Sequence, residues 1–479
     1  MLQSSTDKLV MVFALLFCFS NTVDAQKKSA KMNKGADKLN RQIALKPPMG
    51  WNSFDAYDCR INEKEYKATV DFMEKNLLKH GWDYAVIDYC WFNDDPGNWS
   101  NPRRRFGHPD IRMKPDGSPL DTLVMDEFGR VLPSIKRFPS AKNGAGFKAI
   151  ADYVHSKGMK FGIHIMRGIP REAYYNNLPI KGTTYTARDI AEPWDTCNWQ
   201  NNFFGVDASK PGAQEYYNSL FELYAEWGVD FIKADDMMYP PYHKGEIELI
   251  SNALANCGRP MVLSLSCGEA PLSQASHVSK FSHMWRVSAD FWDNWESLEH
   301  NFDLLNAWSP FIKPGHWPDA DMLPIGKLSL NNRPHGPERM SKFTNEEHYT
   351  LMTLWSIAKS PLMLGADLLQ ETKGIMPFLT NDEVLAVNQY STDNRQVYKD
   401  ENYAVWIATE PGTKNRYVAL FNLSGNERTV KFTLELENLR GTFKVRDLWK
   451  KSDAGTVTDK LETKIGSHGA AFFKLSPVK

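Results

Sequence analysis

The chain has 479 residues, of which 42% are hydrophobic and 24% are charged, and it is long enough for one large domain of about 350 residues and a smaller one. Its 57 basic and 58 acidic side chains leave a net charge of −1. This balance excludes a strongly basic nucleic-acid-binding protein and gives no reason to expect an anionic membrane as partner.

The N-terminus has the pattern of a secretory signal peptide. Lys8 precedes an apolar run from Leu9 to Phe19, and Val23-Asp24-Ala25 resembles a cleavage site. The run is too short to span a bilayer comfortably, so no membrane span is expected. We predict a signal peptide over residues 1–25, a disordered leader over residues 26–42 and a secreted or periplasmic protein.

From residue 43 to residue 390, apolar strands alternate with helical patterns. Eight such units in one run favour a closed (β/α)₈ barrel over a doubly wound sheet. The seventh strand, around Lys313 to Met322, is irregular. The other predicted strands are Met49–Phe54, Tyr84–Trp91, Lys160–Met166, Asp230–Asp235, Met261–Ser266, Met284–Asp290 and Pro361–Asp367.

Amphipathic helices are predicted between these strands, the first of them capped by Asn62. Two connections are long, residues 92–139 and residues 167–207. Loops of this length are uncommon unless they are functional, and at the mouth of a barrel they would wall a substrate site. The basic run Arg103–Arg105 in the first could meet an acidic sugar, although a solvated loop is the simpler interpretation.

Residues 391–479 have a different pattern, with short alternating strands separated by turn residues. This pattern predicts a small antiparallel β-sandwich without chemistry of its own. The predicted strands are Tyr403–Thr409, Tyr417–Asn422, Thr429–Leu434, Gly441–Asp447 and Ala470–Leu475.

The cysteines allow a disulfide but do not require one. Removal of the signal peptide takes one of the six cysteines with it and leaves an odd number. Cys59 and Cys90 each follow a predicted strand closely, and an oxidising compartment permits a disulfide between them. No CxxC or HxxxH spacing occurs, so no metal site is expected.

Two predicted strands end in charged residues. Phe231 to Asp236 reads F-I-K-A-D-D, and alternation along the strand puts Lys233 and Asp235 on one face. Met284 to Asp290 reads M-W-R-V-S-A-D and ends in a second carboxylate. A barrel gathers the carboxyl ends of its strands at one mouth, and two carboxylates there are the minimum equipment for glycoside hydrolysis.

The opening strand, Lys46 to Asp55 (K-P-P-M-G-W-N-S-F-D), resembles that of glycoside hydrolase family 27, the α-galactosidases and α-N-acetylgalactosaminidases. Similar blocks follow in the same order across the whole barrel. The resemblance implies a barrel followed by an antiparallel β domain. The further blocks are Val86–Trp91, Arg137–Pro139, Tyr153–Gly162, Trp227–Asp235, Trp285–Asp290, Trp317–Gly326 and Ser360–Asp367.

The resemblance implies that Asp235 is the nucleophile and Asp290 the acid/base. A retaining glycosidase needs these carboxyls roughly 5–5.5 Å apart. Lys233 beside Asp235 is expected to keep it ionised, and Asp290 is expected to have a pKa raised by burial or by a neighbouring negative charge. Taken singly, either aspartate could instead be a loop cap or half of an ion pair.

The match also supplies sugar-binding positions. Trp51 is expected to lie against an apolar face of the sugar, with a buried barrel tryptophan as the alternative. Asp88 fits an acceptor of hydroxyl hydrogen bonds. Arg286 and Asp321 fit polar contacts to ring hydroxyls, with a structural salt bridge as the alternative. Two more acidic residues, Asp55 and Asp319, could either bind the sugar or have a structural role.

Three positions depart from the family pattern. Tyr89 stands where α-galactosidases have a second aspartate, which together with the Asp88 position holds the 4- and 6-hydroxyls, and His164 stands where the family usually has tyrosine. The specificity segment reads S-C-G-E-A, which shifts Glu269 by one position. The pocket for the exocyclic arm of the sugar is therefore expected to differ, and such a change can alter the substrate.

The leading hypothesis is a secreted retaining exo-glycosidase that releases terminal α-D-galactose from oligo- or polysaccharides and needs no cofactor. The alternative is the same mechanism on a related glycoside such as a β-L-arabinopyranoside, because Tyr89 and His164 change the sugar pocket. A catalytically inactive carbohydrate-binding protein is a third hypothesis, and the presence of both Asp235 and Asp290 argues against it.

Overall fold

The computed structural model describes residues 39–94, 96, 123–197, 202–238, 240–330 and 337–478. The predicted signal peptide, most of the predicted leader and the run Arg103–Arg105 lie outside these residues. Within the described ranges, no helix combines the length and apolar character that crossing a bilayer requires.

Eight parallel strands form the first unit. They pair in the order β7-β6-β5-β4-β3-β2-β1-β8, and a parallel bridge between Leu323 and Leu364 joins the segment after β7 to β8 and closes the sheet. The predicted (β/α)₈ barrel is confirmed. Its strands are β1 Met49–Asn52, β2 Tyr84–Ile87, β3 Lys160–Met166, β4 Phe231–Asp235, β5 Val262–Leu265, β6 Met284–Arg286, β7 Trp317–Asp319 and β8 Leu362–Leu364.

A helix follows each strand. The first begins at the predicted cap: the side chain of Asn62 accepts hydrogen bonds from the backbone N–H groups of Lys64 and Glu65, and the Glu65 carboxylate accepts one in return. The helices are α1 Glu63–Asn76, α2 Lys148–Ser156, α3 Ala213–Trp227, α4 Lys244–Asn256, α5 Ala275–Phe281, α6 Trp295–Trp308, α7 Asn345–Ile357 and α8 Asp382–Tyr390.

Several strands end earlier than the sequence predicted. β2 ends at Ile87 and β6 ends at Arg286, so Asp88 and Asp290 lie in the loops that follow and not in the strands. The apolar pattern continues past each strand end because the first loop residues at a barrel mouth are still buried, as Tyr89 is.

The described part of the long connection after β3 has structure of its own. It contains a small antiparallel sheet and two short helices at the carboxyl end of the barrel. The strands are Ile169–Pro170, Ala191–Glu192 and Phe203–Val206, and the helices are Arg171–Tyr175 and Ala187–Ile190.

The C-terminal unit is the predicted β-sandwich. Six strands pair in the order β9-β10-β11-β16-β13-β14, and β12 pairs with β15 in a second layer. The prediction missed β9, β14 and β15; β14 is almost wholly exposed and therefore has no apolar alternation to detect. The strands are β9 Thr392–Lys399, β10 Tyr403–Thr409, β11 Arg416–Asn422, β12 Arg428–Thr433, β13 Phe443–Asp447, β14 Ser452–Val457, β15 Lys460–Ile465 and β16 Ala470–Pro477.

The predicted disulfide is not formed in this structure. Cys59 and Cys90 are both thiols, and both are buried. They are nevertheless neighbours. Burial raises the pKa of the Cys59 thiol, and the interaction with Cys90 raises it further. The two side chains therefore lie together, as the sequence suggested, but as two thiols in this structure.

Candidate active site

Asp235 lies at the carboxyl end of β4, where its buried carboxylate is bound from several sides. Nε2 of His164 lies 2.8 Å from Oδ2, and the backbone N–H of Asp236 donates to Oδ1 at 2.6 Å. The thiol of Cys267 also favours the charged form of this carboxylate. The barrel thus surrounds the predicted nucleophile with hydrogen-bond donors.

These contacts decide the charge of Asp235. Burial by itself raises the pKa of the carboxyl, but the hydrogen bond and charge of His164, the charge of Lys233 and the Cys267 thiol outweigh it. The pKa of Asp235 is therefore held well below its usual range. The group is an anion at neutral pH, which is the form that can attack carbon.

Lys233 has a different direct partner from the expected one. Its Nζ donates to Oδ2 of Asp88 at 2.9 Å, and Nδ2 of Asn52 donates to the same oxygen at 2.6 Å. Burial opposes the charged form of Lys233, but Asp88 and then Asp235 raise its pKa above the usual value. Lys233 therefore acts on Asp235 through its charge and forms its ion pair with Asp88.

Asp290 lies next to a buried ion pair. Nη1 of Arg286 is 2.9 Å from Oδ1 of Asp321, and Nη2 is 3.1 Å from Oδ1 of Asp290. The salt bridge given as the alternative for Arg286 and Asp321 is therefore present. The expected burial of Asp290 is not found, because its side chain is 58% exposed at the mouth of the barrel.

Cys267 links the two predicted catalytic carboxylates electrostatically. Burial raises the pKa of this thiol, and the negative charges of Asp235 and Asp290 raise it further, so the thiol lies within reach of both charges. Sequence reasoning missed this residue. The available signal was its position just after β5, at the same edge of the barrel as the ends of β4 and β6.

Asp55 adds a further carboxyl beneath the site. Oδ2 of this buried side chain has no hydrogen-bond partner among the described residues. Burial raises its pKa well above the usual value, and the charge of Asp321 adds to this. The carboxyl fits only because residue 365 is glycine, since a Cβ there would collide with it.

Two of the predicted sugar-binding side chains have other partners in this structure. Trp51 is completely buried, with its ring against Tyr57 and Tyr66 and its Nε1–H bonded to a backbone carbonyl, so the barrel-packing alternative applies. Alternation along β1 explains the burial of Trp51. Asn52 points into the barrel, so the side chain of Trp51 before it points toward the helices. Glu269 is exposed, and its carboxylate lies 3.5 Å from Nε2 of His300, which is its partner in this structure.

Tyr89 and His164 pack against each other beneath the site. Their ring centroids are 5.4 Å apart in an edge-to-face arrangement, and Tyr89 is only 2% exposed. His164 is completely buried and bonds Asp235, so its predicted direct contact with sugar is replaced by a contact with the predicted nucleophile. Its Nδ1 has no hydrogen-bond partner among the described residues.

One group of side chains has the spacing of metal ligands. Candidate ligand atoms of Asp195, His243 and Glu246 lie within 4.8 Å of one another in the described part of the chain. The guanidinium of Arg167 already bonds Asp195 at 2.7 Å and Glu246 at 2.9 Å. A cation there would meet this positive charge, so the residues do not fit a metal ion.

Family models match both units of the chain. Residues 204–390 match the model described as alpha galactosidase A, and residues 400–475 match the C-terminal β-sandwich domain of alpha galactosidase. Alpha-galactosidase 2 of Arabidopsis thaliana is 27% identical over 445 residues, which cover 91% of each chain. The match therefore extends over the barrel and the sandwich together.

Solved structures give a higher identity. A β-L-arabinopyranosidase of glycoside hydrolase family 27 from Geobacillus stearothermophilus, in complex with arabinose, is 43% identical with a TM-score of 0.86, covering 92% of this chain and 100% of that one. A Bacillus halodurans protein, for which an α-N-acetylgalactosaminidase activity has been suggested, is 41% identical with a TM-score of 0.79, covering 92% and 99%. The chain belongs to glycoside hydrolase family 27 and is a glycoside hydrolase.

Proposed function

We propose that the protein is a retaining exo-glycosidase that releases terminal β-L-arabinopyranosyl residues. The observation that carries this proposal is Tyr89, a buried neutral ring beside Asp88 where an α-galactosidase has a second carboxylate. This choice reverses the order of the two hypotheses drawn from the sequence.

The two sugars differ at one carbon. β-L-Arabinopyranose has the ring hydroxyl arrangement of α-D-galactose but lacks the exocyclic CH₂OH group. Tyr89 is fixed edge-on against Phe92 and His164, at centroid distances of 6.2 and 5.4 Å, so its ring is not free to make room. A site with no carboxylate for the 6-hydroxyl loses the contact that favours galactose. The 43% identity with a β-L-arabinopyranosidase supports the same choice.

In the first step, Asp235 attacks the anomeric carbon and the glycosidic C–O bond breaks. Asp290 gives its proton to the leaving oxygen at the same time, so the leaving group departs as a neutral alcohol. The lowered pKa of Asp235 supports its part. Asp290 lies at the exposed edge of the site, where a bound glycoside would cover it.

In the second step, Asp290 accepts a proton from water, and the water oxygen attacks the anomeric carbon of the glycosyl-enzyme ester. The ester bond to Asp235 breaks, and the sugar leaves with its original anomeric configuration. Asp88 stays ionised because Lys233 outweighs the effect of burial on its pKa, so it is available as a hydroxyl acceptor.

A comparison of p-nitrophenyl β-L-arabinopyranoside with p-nitrophenyl α-D-galactoside tests the substrate. We expect kcat/KM to be at least about tenfold higher for the arabinoside. Tyr89→Asp should move this ratio toward the galactoside, whereas Tyr89→Phe, which keeps the ring, should leave it in place. A higher kcat/KM for the galactoside in the unmodified enzyme would overturn the proposed substrate.

The mechanism has its own test. NMR of the first-formed sugar should show the β anomer from the β-L-arabinoside, and a 2-fluoro sugar with a good leaving group should label Asp235. Inversion of configuration would contradict double displacement, and labelling of another residue would overturn the assignment of Asp235 as the nucleophile. Unchanged turnover in Asp235→Ala would remove Asp235 from catalysis altogether.

α-D-Galactosidase activity is the second candidate function. It is favoured by the family models and by relatives named as α-galactosidases, which are 25–28% identical. We also propose that the enzyme is exported, on the pattern of residues 1–25 alone. Protein sequencing of the mature N-terminus tests this, and a mature chain that still begins at Met1 would contradict it.

A further inference from the structure

A polar cleft of 440 Å³ lies at the mouth of the barrel, beside the proposed catalytic site. One wall comes from Arg167 and Asp236, the residues that directly follow β3 and β4. The other walls come from Glu192, Trp194, Asp195 and Thr196 of the long connection and from Pro240, Pro241 and His243. The backbone N–H of Arg167 donates to the carbonyl of Asp235 at 3.2 Å, so the cleft adjoins the strand end that carries the proposed nucleophile.

Trp194 forms an unusual part of this cleft. Its side chain is 95% exposed, and the next most exposed large apolar side chain among the described residues, Leu436, is 71% exposed. An indole at the rim of a polar cleft offers a flat apolar face next to polar groups, so it is available to stack on a ring that the cleft holds. The apolar C–H face of a pyranose is the natural partner of such a ring.

The polar groups of the cleft are held in place. The Asp195 carboxylate accepts two hydrogen bonds from Arg167, at 2.7 and 2.8 Å. Arg167 is itself fixed by Asp236 at 2.8 Å and by Glu246 at 2.9 Å. The Asp195 side chain stays 23% exposed, so its remaining lone pairs can accept hydrogen bonds from sugar hydroxyls.

We propose that this cleft binds the carrier carbohydrate of the substrate, the sugar residues beyond the bond that is cut. The inference rests on the proposed function, since an exo-glycosidase buries only the terminal residue and must leave the rest of the chain outside. A ring stacked on Trp194 with hydroxyls on Asp195 supplies the combination of apolar and polar contact that carbohydrate recognition needs.

Trp194→Ala tests the proposal with two substrates that share the same glycosyl group. β-L-Arabinopyranosyl fluoride has no carrier and should be hydrolysed at an unchanged rate. A β-L-arabinopyranosyl tetrasaccharide should lose about tenfold in kcat/KM, mainly through KM. Tyr390→Ala is the matched control, because Tyr390 is 57% exposed and contacts Lys46 just before β1, at the opposite end of the barrel.

Direct binding separates this proposal from the proposed function. Calorimetric titration with galacto-, xylo- and arabinotetraose, which lack the terminal arabinopyranosyl group, should show binding of at least one to the unmodified enzyme and about tenfold weaker binding to Trp194→Ala. This result would support the cleft even if the fluoride were not hydrolysed, in which case the proposed function fails alone.

Two results would overturn the proposal. One is equal kcat/KM of Trp194→Ala and the unmodified enzyme on the tetrasaccharide, together with no difference in tetraose binding. The other is a change in oligomeric state of Trp194→Ala by light scattering without any effect on carbohydrate, which would make the indole a contact between copies of the chain.

Discussion

The contact between His164 and Asp235 joins two residues that are 71 positions apart in the chain. β3 and β4 pair in register, with His164 opposite Lys233 and Met166 opposite Asp235. His164 and Asp235 therefore lie on the same inner face, two positions apart along the barrel axis. The register lets the imidazole reach the carboxylate, while Lys233 reaches across to Asp88 on β2's loop.

Loss of this contact should change the pH dependence of catalysis. Attack needs ionised Asp235, whose pKa His164 holds down, so activity is present above that pKa and is lost as the pH falls through it. Without the imidazole the pKa rises, and the acid limb of kcat/KM moves to higher pH. We expect His164→Phe to show this shift, with a loss of about a hundredfold at acid pH.

His164→Gln is the matched variant, because its amide N–H can donate from the position of Nε2. It should keep the acid limb close to that of the unmodified enzyme. If His164→Phe lowered activity equally at every pH, the imidazole would be structural and would not set the charge of Asp235.

At the scale of elements, the turn between β15 and β16 is clamped to the barrel. The ring of His468 stacks on Trp295 of α6 at a centroid distance of 3.7 Å and an interplanar angle of 2°, and its Nδ1 lies 2.8 Å from Glu347 of α7. The backbone of His468 has a φ of +57°, in the left-handed region, and this conformation directs the ring onto Trp295.

Removal of the His468 ring should loosen the attachment of the sandwich. Asparagine also tolerates a positive φ, so His468→Asn removes the stack without adding backbone strain. We expect a loss of about 1 kcal/mol and a fall in Tm of about 1–3 °C. His300→Asn is the control, since its side chain is 57% exposed. Equal Tm values for the two variants would show that the stack contributes nothing.

At the scale of the whole molecule, the barrel and the sandwich share a hydrophobic core. Trp406, Phe421 and Phe472 of the sandwich belong to the same buried cluster as the barrel helices. Phe421 meets Phe302 of α6 edge-on at 4.9 Å, and Trp449 donates to Thr353 of α7 at 2.8 Å. Neither unit buries this surface by itself.

The shared core predicts one cooperative unfolding transition. Calorimetry of the full chain should show a single peak, because separating the units exposes large aromatic surface to water. A chain that ends at residue 390 should be recovered mainly as aggregate for the same reason. Two resolved transitions, or a soluble and active truncated barrel, would contradict a common core.

The sequence by itself determined the order of the elements and which residues lie at the carboxyl ends of the strands. Helical and strand periodicities are local properties of the chain. For this reason the cap at Asn62 and the bounds of β3 and β10 agree with the predictions. The same local pattern placed Asp235 at the end of a strand and Asp290 soon after one. It also brought Cys59 and Cys90 to one neighbourhood.

Only the tertiary structure decided which of these side chains touch. Lys233 pairs with Asp88, His164 bonds Asp235, and Trp51 turns toward the helices. Such contacts join strands that are distant in sequence, and they depend on strand register and on closure of the barrel. Periodicity along one strand carries no information about either, which is why the residues of the site could be predicted and their partners could not.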